Sequence, residues 1–107
     1  MKRTFIETTD FQKKIKSLNQ PELLQRIQNA LLRNPEIGVL VKGAGGIRKL
    51  RFGIKGKGKS GGLRIFYLDV PIKEKCYLLY MIEKSEAENI SHEEKNKLKL
   101  LSQLLKK

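Results

Sequence analysis

The apolar positions of this chain follow a helical spacing at both ends and strand patterns in the middle. Phe11, Ile15 and Leu18 fall on one face of a helix, and Leu23, Leu24, Ile27, Leu31 and Leu32 repeat at helical intervals after Pro21. Asp10 stands where an N-cap is expected, Pro21 suits the first turn of the second helix, and Asn34-Pro35 ends it. Ahead of both, residues 3–7 read as a short strand centred on Phe5 and Ile6. Residues 47–54, 62–70 and 76–82 read as three further strands, joined by a loop over 55–61 and a turn over 71–75. Consecutive strands on short connections predict an antiparallel meander. The apolar run over 63–70 suggests cover on both faces of its strand. Ser91 and Glu94 have capping-box spacing, and Leu98, Leu101 and Leu105 then share one face of a last helix. The expected architecture is α+β: a small antiparallel β-sheet, made of the short N-terminal strand plus a three-strand meander. Two N-terminal helices and a C-terminal helix are expected to pack on one face of it.

Length sharpens this to one small domain over residues 1–107. Charge changes the picture more. Lys and Arg number 23 against 11 Asp and Glu, a formal net charge of +12. Solubility alone asks for a magnitude of only about 2–8, so a polyanionic partner is expected. The charge is also localised. No acidic residue occurs over 37–68, which holds eight Lys and Arg and all nine glycines. The single cysteine, Cys76, opens an apolar run and reads as a small buried hydrophobe, which gives no sign of secretion. No signal peptide is visible, and no apolar run approaches the roughly 20 residues that span a bilayer. The chain reads as cytosolic, with no membrane role, because each apolar helix face is needed for the only core.

Residues 53–60, GIKGKGKS, match the P-loop pattern GxxxxGK[ST]. A P-loop needs a helix after it, so that the helix N-terminus faces the phosphates. Here a strand pattern follows, and nucleotide hydrolysis is rejected. The alternation of Lys55, Lys57 and Lys59 with glycine still offers a charged loop whose backbone can approach phosphates closely. Arg48, Lys49, Arg51 and Arg64 lie inside strand patterns. Alternation puts Lys49 and Arg51 on one sheet face, and Arg48 with Leu50 and Phe52 on the other. Like charges on neighbouring strands destabilise a sheet, and such local violations of folding logic tend to mark functional sites. Lys84 is positioned to project from the end of the third meander strand. His92 reads as a surface residue, and no Cys/His cluster or HExxH suggests a metal. Tyr67, Tyr77 and Tyr80 read mainly as core, although aromatics on RNA-binding sheets can stack on bases.

Residues 43–51, GAGGIRKLR, and 56–67, GKGKSGGLRIFY, resemble the HigB branch of the RelE toxin family. Residues 77–79 and 83–86 are similar to that branch too, and the order of elements agrees along nearly the whole chain. The resemblance implies the toxin of a toxin–antitoxin pair: a ribosome-dependent endoribonuclease that enters the A site and cuts translated mRNA. It implies a helix-turn-helix antitoxin, HigA-like, as partner, and no cofactor. Carried over residue by residue, Arg64 fits the arginine at the start of the strand after the hairpin. Lys49 and Arg51 fit the basic residues of the central strands, and Lys84 the basic residue after the last strand. Some relatives use a Tyr or His near the C-terminus, where this chain offers only His92.

RNA is cut without metal when its own 2′-hydroxyl attacks the adjacent phosphate, which needs a base, an acid and donors for the extra phosphate charge. Arg64 is the expected clamp, with Arg51 assisting, and Lys49 or Lys84 the expected base or acid. Arg48, Lys55, Lys57 and Lys59 are expected to bind RNA or ribosome. Two rival readings are a gyrase-inhibiting toxin on the same fold, and a basic RNA-binding module without activity.

Overall fold

Thr8, rather than Asp10, starts the first helix. In this computed structural model, which describes residues 2–54, 62–84, 86 and 89–107, the Thr8 hydroxyl accepts the Phe11 N–H and donates to the Leu79 carbonyl. Asp10 lies within the first turn, where its charge still favours the positive helix end. Strand β1 (Thr4–Glu7) leads into helix α1 (Thr9–Leu18), then α2 (Leu23–Arg33), with Pro21 just ahead of α2 rather than in its first turn. Next come β2 (Val39–Leu40), β3 (Arg48–Phe52) and β4 (Leu63–Val70). A short 3-10 turn over Pro71–Lys73 precedes β5 (Lys75–Glu83), and α3 (His92–Leu105) ends the fold. The capping box at Ser91 and Glu94 forms as the spacing predicts.

The sheet has five strands in the order β1-β5-β4-β3-β2, one more than the sequence suggests. It is mixed, because β1 pairs in parallel with β5. The meander of β3, β4 and β5 is antiparallel as expected. Helices cover both faces instead of one. Phe11, Leu23, Ile27 and Leu31 of α1 and α2 pack on Leu50, Leu63, Ile65, Tyr67, Leu78 and Met81. On the other side α3 sets Leu98, Leu101 and Leu105 over Phe66, Leu68, Tyr77 and Leu79. That double cover explains why β4 is apolar on both faces over Ile65, Phe66, Tyr67 and Leu68.

One irregularity orients the end of β5. Phe66 pairs with Tyr80 but Tyr67 pairs with Leu78, so Leu79 is an extra, bulged residue. The bulge inverts the alternation of β5. It turns Tyr80 and Ile82 toward the α3 side, and the Lys84 N–H then bonds the Gly62 carbonyl.

The loop before β3 fixes α3. Gly45 has φ +69°, and a Cβ there would lie 2.3 Å from the Ser102 hydroxyl of α3. Ser102 is fully buried and donates to the Lys99 carbonyl. Gly45→Ala is expected to cost about 1–3 kcal/mol from backbone strain alone, and Gly45→Ala with Ser102→Ala less, as measured by urea denaturation. Equal stability of wild type and Gly45→Ala would show that this contact is not required.

Candidate RNA-binding face

The register of β3 and β4 assembles the site. Lys49 lies opposite Phe66, and Arg51 directly opposite Arg64. Arg64 in turn pairs with Ile82 of β5. Phe66 and Ile82 belong to the core under α3, so Lys49, Arg51 and Arg64 share that face. The contacts of α3 with this core begin at Leu98, leaving the Arg51–Arg64–Ile82 end of the sheet beyond its packed stretch.

Arg64 is only 6 % exposed, while Arg51 is open to solvent. Two partly buried cations elsewhere in the molecule, Arg3 and Lys14, have carboxylates. Arg3 holds Asp69 through two bonds, at 2.7 and 3.1 Å. Lys14 bridges Glu83 at 3.2 Å and also Glu86, and both carboxylates hold its ammonium above the ordinary lysine value despite burial. Among the described residues Arg64 has no such partner, and its one hydrogen bond there is from Nη1 to the Leu63 carbonyl, 3.3 Å away. A buried guanidinium without a carboxylate, set opposite a second arginine, carries desolvation and repulsion that a bound anion would offset.

Lys84 sits half-buried just past β5, on the side that alternation from Ile82 gives it. Lys14 pins this segment from α1 through Glu83 and Glu86, and the Glu83 N–H donates to Glu86. Arg48 is set apart. It is paired with Tyr67 on the opposite face, donates to the Gly38 and Glu36 carbonyls at 2.8 and 3.3 Å, and stands 3.8 Å from the Glu36 carboxylate. Its side chain braces the segment that leads into β2. Lys55, Lys57 and Lys59 lie outside the described residues.

The tyrosines are structural in differing degree. Tyr67 is fully buried and Tyr77 nearly so, while Tyr80 is half-buried beside Phe66 at a ring separation of 6.2 Å. The adjacent Glu94 carboxylate and burial push the Tyr80 phenol up to about 12. Burial, with the neighbouring Asp69 charge, pushes the Cys76 thiol to about 12 as well, so it is a core residue and no nucleophile.

Residues that sequence patterns did not single out join the face on its β2 side. Lys49 lines a cleft of about 360 Å³ together with Val39, Leu40, Lys42, Ile90, His92 and Lys95. His92 and Lys95 belong to the first turn of α3, more than forty positions from Lys49 in the chain. No local signal joins them; only the docking of α3 on the Gly43–Gly46 loop does. Among the described residues no helix is long and apolar enough to cross a membrane.

A family model described as the RelE toxin of the RelE / RelB toxin-antitoxin system matches residues 2–107. With essentially the whole chain matched, the protein belongs to the RelE family, the toxins of toxin–antitoxin systems, each paired with an antitoxin.

Proposed function

We propose that this toxin is a HigB-type, ribosome-dependent endoribonuclease that cuts translated mRNA without a metal ion. The supporting observation is Arg64: buried, without a carboxylate among the described residues, and directly across the sheet from Arg51. Such a pair suits a phosphate, because the planar guanidinium fork offers two parallel donors to its oxygens. The 2′-oxygen of the RNA attacks the adjacent phosphorus, and the bond from phosphorus to the 5′-oxygen breaks. A base takes the 2′-hydroxyl proton, an acid gives one to the leaving 5′-oxygen, and the arginines hold the extra charge of the phosphorane-like transition state. Lys49 and Lys84 flank this position and are assigned to the two proton transfers. Lys55, Lys57 and Lys59 are assigned to backbone contacts with RNA or ribosome. A site without a committed histidine base relies on the ribosome to hold mRNA in attack geometry, which contributes several kcal/mol. The partner is proposed to be a HigA-like helix-turn-helix antitoxin.

Primer extension on a reporter mRNA, with and without translating ribosomes, tests this. Cuts within codons only when ribosomes are present are expected. Intact mRNA in both cases would sink the reading, and inhibition of purified gyrase would then identify the alternative toxin type.

A further inference from the structure

The two flanks of the basic face differ in sign. On the β2 side, the cleft of about 360 Å³ carries Lys42, Lys49 and Lys95, and among the described residues no carboxylate lines it. On the α1 side lies a larger hollow, about 530 Å³, where Asp10, Glu86 and Glu94 outnumber Lys13 and Lys14. Lys14 is already engaged by Glu83 and Glu86. A polyanion crossing the face over Arg64 is drawn to the first flank and repelled from the second.

The first cleft is also built for more than charge. Its volume lies in the ~300–1,000 Å³ range of small-ligand sites. Val39, paired with Lys49, is 71 % exposed, an apolar wall left open beside the lysines. Ile90 forms part of the lining across from it. Lys95 is half-buried and runs along Gly43, its Cε 3.5 Å from where a Cβ of that residue would stand. Gly43 itself is required by the loop's backbone, at φ +73°, and Lys95 passes it at ordinary contact distance. Lys49 belongs to both the cleft and the basic face, two strand positions from Arg51, or about 7 Å.

We propose that this cleft is a nucleotide subsite: it takes the base and phosphate of the RNA nucleotide next to the scissile phosphate, and so fixes the path of the RNA across the sheet. The base lies against Val39 and Ile90, and Lys42 and Lys95 hold its phosphate. This inference rests on the RNA-cleaving reading above.

The test compares two matched charge reversals. Lys42→Glu with Lys95→Glu alters the cleft. Lys13→Glu with Lys97→Glu makes the same change in net charge on the acidic side. Binding of a labelled, 2′-O-methylated single-stranded RNA of roughly six nucleotides is followed by fluorescence anisotropy across a salt series, with no cleavage needed. The cleft pair is expected to weaken binding at low salt by about tenfold or more and to flatten the log–log salt slope by about 1.4, two contacts at roughly 0.7 each. The opposite pair should bind as the wild type does. Lys42→Gln with Lys95→Gln, a milder change, should fall between. Equal losses in both pairs would mean net charge alone, and no loss in the cleft pair, or no RNA binding by the wild type, would overturn the subsite. The same proteins are run on translating ribosomes. A wild type that binds RNA through the cleft yet cuts no mRNA would leave the subsite standing and remove the cleavage reading.

Discussion

Replacing Arg64 with methionine is expected to slow cleavage of ribosome-bound mRNA by about 10²–10³-fold while leaving the protein at least as stable as the wild type. The two halves of this expectation come from the same observation. Arg64 is buried and faces Arg51 across the strand pair, with no carboxylate among the described residues to balance it. Its guanidinium is therefore a cost to folding. Methionine keeps the long unbranched stem beside Ile82 and removes the charge. Replacing buried ionic groups with apolar ones of similar volume is often neutral or stabilising, by about 1–4 kcal/mol. Cleavage measured by primer extension and Tm measured by thermal denaturation separate the possibilities. An unchanged rate would remove Arg64 from the site. A slower rate accompanied by a much lower Tm would make it a structural residue instead.

The second large effect is one of stability. Tyr67→Phe is expected to destabilise the fold by about 2–4 kcal/mol, because one hydroxyl serves two buried backbone groups. The Tyr67 hydroxyl donates to the Pro35 carbonyl at 2.7 Å and accepts the Gly38 N–H at 2.9 Å. Pro35, Gly38 and Tyr67 are all buried, so water cannot take over. Burial also raises the phenol above its ordinary value of 10.0, which keeps the donating proton in place. A fall in Tm on the order of 10–20 °C should accompany the change. The loss should be felt at β2, since Arg48 grips the Gly38 carbonyl from the neighbouring strand. A Tm unchanged within a degree or two would show that the two backbone groups find other partners.

How far the sequence reveals this molecule depends on whether each feature is local. The helices and the meander are visible because each carries its own period: Phe11, Ile15 and Leu18 in α1, or the apolar run of β4. The capping box of α3 is visible as two residues at fixed spacing. Strand β2 is not, since Val39 and Leu40 are both exposed and two residues show no alternation. The parallel pairing of β1 with β5 has no local mark at all. The choice of Thr8 over Asp10 as the cap has no local mark either, since its second bond reaches the distant Leu79 carbonyl. In the site, the shared face of Lys49 and Arg51 follows from simple alternation, and the acid-free stretch points to Arg64. That Arg64 is buried without a carboxylate partner among the described residues, and that Lys42, His92 and Lys95 meet Lys49 in a cleft, follows only from tertiary packing.

The pairing of β1 with β5 also governs the order in which the molecule can be finished. Thr4 finds its register against Lys75, and Glu7 against Leu78. The first strand to be synthesised must therefore wait for the last one, and such long-range pairing pays its loop-closure cost late and slowly. Until β5 is made, α1 lacks the carbonyls that bind Thr8, and β4 lacks one of its neighbours. Until α3 is made, the cleft beside Lys49 has no second wall. No nascent chain short of α3 can present the assembled basic face and its cleft, however much charge it already carries.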